Sequence, residues 1–310
     1  MGCYLTESQE KNGALFIRDV TRVDCALWDP ARGIIGESWH MDVELAGHLD
    51  ENGFVYDFSH LKQLIRQVSK ASIDHSLLIP ISNTNVQYAE NGNQQIWRLK
   101  TTPKSGEKTS SWEYQCPKGA AFSVHSIALK KSAIEAEFAK LMKHRLPHTV
   151  QGIKIKLRKE DAEPTAAFFR YTHGISGHAG LCQRLFHGHR SRVEIFVDNE
   201  RRPDLEHYVA RNLLGNDVHI ATPSQIVSGP YEMGHRLTSE EPVKLAFDGT
   251  LGHYEATIPS NRIFVIENET SIECLSQQIA RHLKDHVETN GRLAVWCYEG
   301  IDKGAIATLD

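Results

Sequence analysis

The chain has 310 residues, of which 40% are hydrophobic and 24% charged, the composition of an ordinary globular protein of about two domains. Lys+Arg 35 against Asp+Glu 39 leaves a formal net charge of -4, which removes electrostatics as a reason to expect nucleic acid. No run approaches the ~20 apolar residues of a membrane span, and the first residues lack the basic and apolar regions of a signal peptide. MGCYLT is a weak match to a myristoylation signal, with no basic patch behind it. The six cysteines form no C-x-x-C pair, so reduced thiols in a cytoplasm are expected. The unusual figure is His 17, because imidazole titrates near neutrality and is the commonest metal ligand.

In chain order, the two halves repeat each other. MDVELAG (41–47) and SRVEIFV (191–197) alternate with the period of a strand. Each precedes a helix start, at Asp57 in DFSHLKQLIRQV and at Asp204 in DLEHYVARNLL. A second helix follows in each half, SAIEAEFAKLMKHRL from Ser132 and TSIECLSQQIARHL from Thr270. Strands VQGIKIKLR and RLAVWCYEG come after them. The pattern predicts an α+β fold with a duplicated domain, the boundary falling in KEDAEPTAA (159–167). Each half also carries an insertion with a hairpin, turning at Asn91-Gly92 in the first and at Asp248-Gly249 in the second. No chemistry attaches to either insertion.

The sharpest local signal is LCQRLFHGHRSRVEIFV. His187 and His189 stand two apart at the start of a strand, so both imidazoles project to one face. AAFFRYTHG offers His173 on a neighbouring strand, and three imidazoles with an open position are the catalytic pattern for zinc. Cys182, on a loop five residues before His187, becomes a candidate general base as a thiolate near a cation. KASIDHSLLIP places Asp74 and His75 in a turn, where both can address one partner.

These motifs together resemble the 6-pyruvoyl-tetrahydropterin synthase and 6-carboxytetrahydropterin synthase family: an upstream His, Cys, then His-Gly-His and V-E-x, D-F-x-x-L-K, D-H-x-x-L, T-x-x-E and Y-E. The resemblance covers both halves and implies two tandem tunnelling-fold (T-fold) domains, each an antiparallel sheet packed on two helices, over residues 1–158 and 159–310. It implies Zn2+ on His173, His187 and His189, and Cys182 as the catalytic cysteine with Asp74 and His75 as its partners. Glu299 in YEG matches the pterin-anchoring glutamate and Glu273 a second pterin-side carboxylate; a carboxylate can accept two parallel bonds from a pterin edge. At the zinc positions the first half has approximately Asp24, Glu37 and Trp39, so it should bind no zinc. The second half lacks a clean Asp-His pair, Asp217 and His219 being the nearest. One composite site per chain is therefore expected, the first half supplying Asp74 and His75.

The activity implied is that of a zinc-dependent lyase acting on 7,8-dihydroneopterin triphosphate. In the carboxy-forming branch, toward queuosine, acetaldehyde and triphosphate are lost; in the pyruvoyl branch, toward biopterin, triphosphate is eliminated with internal rearrangement. A non-catalytic zinc- and pterin-binding T-fold protein is the rival reading. A homo-oligomer, without nucleic acid or membrane partners, is the expected assembly.

Overall fold

The computed structural model describes residues 12–102, 108–177, 180–286 and 291–310; the MGCYLT segment and Cys3 lie outside them. The first half runs β1 (Asn12–Asp29), β2 (Gly33–His48), α1 (Phe58–Lys70), β3 (Leu77–Pro80), β4 (Val86–Asn91), β5 (Gln94–Lys100), β6 (Ser111–Pro117), β7 (Ala121–Val124), α2 (Lys131–Lys143) and β8 (Val150–Arg158). The second runs β9 (Phe168–His173), β10 (His187–Val197), β11 (Glu200–Arg201), α3 (Pro203–Tyr208), β12 (Asp217–Ala221), β13 (Ile226–Ser228), β14 (Pro242–Gly249), β15 (Gly252–Pro259), β16 (Ile263–Val265), α4 (Ile272–His286), β17 (Leu293–Tyr298) and β18 (Gly304–Leu309).

Strand order shows the duplication directly. The first sheet is β7-β3-β1-β2-β8 and the second β16-β12-β9-β10-β17, with β18 added outside β17. The α+β class stands, but the sheets are mixed rather than wholly antiparallel. β1–β3 and β3–β7 run parallel, as do β9–β12 and β12–β16. A parallel neighbour needs a crossover, which α1 provides between β2 and β3. Asp57 caps α1, its carboxylate accepting from the His60 amide at 2.8 Å. Leu61, Ile65 and Val68 of α1 and Ile134, Phe138 and Met142 of α2 close the first core over Val23, Met41 and Val43. In the second half Leu275, Ile279 and Leu283 of α4 do the same over Phe169, Val193 and Ile195. α3 is short and runs into a wider turn through Leu213, where the Leu214 amide bonds the Val209 carbonyl.

Two features of the fold escape pattern reading. First, the insertions of both halves join into one sheet, β13-β14-β15-β6-β5-β4, through pairing of Glu255 with Gln115 and Ala256 with Tyr114. The β14–β15 turn lies at Thr250-Leu251, between Gly249 and Gly252, two residues beyond the expected Asp248-Gly249. Second, the two main sheets pack backbone against backbone. A Cβ on Gly36 of β2 would lie 2.2 Å from the Tyr171 carbonyl and 2.5 Å from the His189 amide. Gly188 meets Gly36 in the same way, so both positions need a residue without a side chain.

Candidate active site

His173 and His187 face each other across the β9–β10 pairing, and His189 follows two residues along β10. Alternation of side chains along a strand puts His187 and His189 on one face, and all three imidazoles are buried, at most 1% exposed. One ring nitrogen from each lies within 4.8 Å of the others. The remaining nitrogens have fixed neighbours: His173 Nδ1 sits 2.6 Å from the Thr270 carbonyl and His187 Nδ1 3.2 Å from the Arg184 carbonyl. His189 Nδ1 lies 3.3 Å from Asp24 Oδ1. The three Nε2 atoms are buried with no hydrogen-bond partner. Orphaned buried nitrogens are costly. Backbone carbonyls hold the opposite nitrogens of His173 and His187, the usual arrangement behind a metal-ligating histidine, whereas His189 Nδ1 has the Asp24 carboxylate near it without a hydrogen bond. Burial, reinforced by the neighbouring imidazoles, pushes the pKa of His173 and His187 well down, so both are neutral and free to ligate. The chemistry of this donor set fits a divalent metal.

The first half reaches into this site. Asp74 and His75 lie in the turn between α1 and β3, with His75 in the left-handed region at φ 55°. The His75 amide donates to the Asp24 carbonyl at 2.6 Å and the Asp24 amide to Asp74 Oδ1 at 3.1 Å. The turn thereby aims both side chains across the sheet interface. His75 Nδ1 is 3.0 Å from Asp74 Oδ1, and His75, Cys182 and His187 form a second cluster with atoms within 4.8 Å. Burial alone would lower the His75 pKa, but Asp74 and Cys182 outweigh it and raise it to about 10. Cys182 is half-buried in the short turn Leu181–Gln183. The described thiols Cys25, Cys116 and Cys297 are buried and pushed up by desolvation, as expected of inert cysteines.

Glu299, just past β17, places Oε1 4.0 Å from His189 Nε2, and Lys303 bridges its Oε2 (3.3 Å) to Asp24 Oδ2 (3.6 Å). Burial works to raise the Asp24 pKa, but His189, Lys303 and the Ser38 hydroxyl together hold it well below the usual carboxylate range. Glu273 is exposed in the first turn of α4; among the described residues no hydrogen bond or ion pair joins its side chain to the cluster. Asp217 and His219 do not meet Cys182. Asp217 Oδ1 lies 3.6 Å from Arg32, and His219 bonds Thr172 while burial holds its pKa down at about 3.

Three contributors were not read from the sequence. Arg184, buried, donates through Nη1 to the Asp74 and His75 carbonyls, both at 3.2 Å, and to the Ser76 hydroxyl. A charged residue inside the apolar stretch LCQRLF was the available signal. The insertion sheet backs the same segment: Tyr114 packs edge-on against Phe186 at 4.9 Å, and the Thr250 amide donates to Gln183 at 2.8 Å. Asp24, expected to replace a zinc histidine, instead faces the intact triad. The register sets Cys25, not Asp24, opposite Glu37, as His173 stands opposite His187.

Residues 22–131 match the family model described as 6-pyruvoyl tetrahydropterin synthase. The chain is similar to that family. The matched stretch lies in the first half and contains Asp74 and His75, whereas the histidine triad lies outside it. Among solved structures, 6-pyruvoyl tetrahydropterin synthase from Plasmodium vivax is 16% identical, with a TM-score of 0.38, covering 50% of this chain and 95% of its own. The Plasmodium falciparum enzyme is 17% identical, with a TM-score of 0.34, covering 48% and 91%. No curated protein matches the chain. Among the described residues no helix is long and apolar enough to cross a membrane.

Proposed function

We propose that the chain is a zinc-dependent lyase of the 6-carboxytetrahydropterin synthase type, acting on 7,8-dihydroneopterin triphosphate in a cytoplasm. The observation that carries this reading is the meeting of His75 from the first half with Cys182 and His187 from the second. In this reading residues 1–158 form a T-fold domain without zinc ligands, and 159–310 form the T-fold domain that binds the metal.

His173, His187 and His189 would hold the zinc, which supplies Lewis acidity toward the hydroxyls of the substrate side chain. Glu299 accepts the N–H groups of the pterin ring, with Glu273 as a second pterin-side carboxylate. Lys303 keeps Glu299 oriented through its ion pair. His75 takes the Cys182 proton and Asp74 stabilises the resulting imidazolium, so that Cys182 as thiolate can remove a proton from the substrate. Burial of the imidazoles keeps water from competing for these groups.

The description of the matching family model favours a second reading, the pyruvoyl branch. Both begin with the same proton removal, and the residues named serve either. Incubating zinc-loaded protein with dihydroneopterin triphosphate and measuring product mass separates them. Acetaldehyde release marks the carboxy branch, triphosphate release alone the pyruvoyl branch, and no turnover with tight pterin binding marks a binding protein. β8 and β18 are the outer strands of their sheets, and side-by-side pairing through such edges is the assembly proposed. A monomeric mass at micromolar concentration would exclude it.

A further inference from the structure

The first half keeps a cavity where the second half keeps its triad. It has a volume of about 270 Å³ and is walled by Leu27, Ile35 and Trp39, with Glu37 inside and Lys131 and Lys159 at the rim. Glu37 and Trp39 stand on β2 where His187 and His189 stand on β10: Glu37 is opposite Cys25 as His187 is opposite His173. Glu37 is 5% exposed and Trp39 2%. Arg170 approaches Glu37 Oε2 at 3.6 Å, but Glu37 Oε1 and Trp39 Nε1 are buried with no hydrogen-bond partner. A buried carboxylate oxygen and a buried indole N–H without partners are a standing cost, and the two residues that carry them line one cavity.

We propose that this cavity is a second ligand site, separate from the metal-and-thiol site, for a planar nitrogen heterocycle bearing an anionic group, of the purine nucleotide class. Glu37 Oε1 calls for an N–H donor and Trp39 Nε1 for a ring nitrogen or carbonyl acceptor, and a purine edge offers both side by side. Leu27, Ile35 and the Trp39 ring give the ring system apolar cover. Lys159 is exposed at the rim where a phosphate would emerge, and beside it the Lys131 ammonium donates to the Leu157 carbonyl at 3.2 Å, with donors left for an anion. Asp29 and Arg32, also in the lining, pair with each other at 3.1 Å; of the remaining charges, the lysines and Arg170 repel a bare cation and Glu37 repels a bare anion. Only a ligand with an N–H edge and a separate anionic group satisfies both ends. Nothing here depends on the proposed activity.

The test is calorimetric titration of the full chain with guanosine 5′-monophosphate, guanosine and inorganic phosphate, with tryptophan fluorescence as a second readout. One equivalent of the nucleotide should bind and quench fluorescence, with Glu299→Ala leaving its affinity unchanged. Glu37→Gln should weaken it about tenfold or more, the scale of a charge-assisted hydrogen bond. Lys131→Ala with Lys159→Ala should weaken the nucleotide but not guanosine. If circular dichroism shows Glu37→Gln misfolded, Trp39→Phe, which removes only the indole N–H and some ring area, takes its place. No binding, phosphate binding as tightly as the nucleotide, or binding lost in Glu299→Ala but kept in the cavity variants would each overturn the proposal.

Discussion

The imidazole of His75 stacks on that of His187, ring centroids 5.2 Å apart and 23° from parallel, although the two residues belong to different halves. Both belong to one chain, so the dyad and the thiol need no second subunit to meet. His75→Ala should lower turnover by roughly 10²-fold or more, the usual scale for an acid–base group, while the metal is retained. Mixing His75→Ala with Cys182→Ala protein should restore no activity. Recovery in mixed samples would show that the dyad works across chains.

One metal equivalent per chain is expected, because the first half offers Cys25, Glu37 and Trp39 where the second offers histidines. His187→Ala combined with His189→Ala should abolish binding. Elemental analysis of purified protein decides it: two equivalents, or metal surviving the double substitution, rejects the assignment.

Arg184 ties the Asp74–Ser76 turn to the segment that carries Cys182. Removing it takes a donor from the Asp74 and His75 carbonyls and from the Ser76 hydroxyl at the interface of the halves. Arg184→Ala should cost about 3 kcal/mol in urea unfolding and reduce turnover more than it reduces metal content. Unchanged stability would mean that the turn holds its shape alone.

Much of this was legible beforehand, for reasons specific to each residue. His187 and His189 are readable because alternation along a strand fixes their common face, and His173 because an imidazole on the adjoining strand lies within reach. Register was not readable. A shift of one residue separates Asp24, which faces the triad, from Cys25, which stands opposite Glu37, and no local pattern sets that pairing. The insertion sheet was invisible for a similar reason: β6 and β15 pair between the two halves, and each alone reads as half of a hairpin. Thr270 acts through its backbone carbonyl, which leaves no spacing to detect, and Arg184 left only a charge within LCQRLF, with nothing to say which turn its guanidinium reaches.

Asp42 offers a pH test outside the site. Its carboxylate is 3% exposed and accepts from Arg158 at 2.8 and 3.1 Å and from the Asp19 amide at 2.9 Å. Burial favours the neutral form, but these bonds outweigh it and lower the pKa. A depressed folded-state pKa gives stability that is present above the unfolded carboxylate value and lost as pH falls through the folded value. Asp42→Asn should therefore cost about 2 kcal/mol at pH 7, with the deficit shrinking below about pH 4. Denaturant midpoints of both proteins across that range measure it; a deficit independent of pH would assign the loss to packing.

The shared insertion sheet has a consequence for synthesis. Gln115 on β6 waits for Glu255 on β15, about 140 residues later in the chain. At ribosomal rates that is on the order of ten seconds, during which the first half has emerged with one strand edge bare. Bare edges recruit other strands. The nascent first half is thus the vulnerable species in the life of this protein, and slow translation through the second half should lower soluble yield without altering the finished molecule.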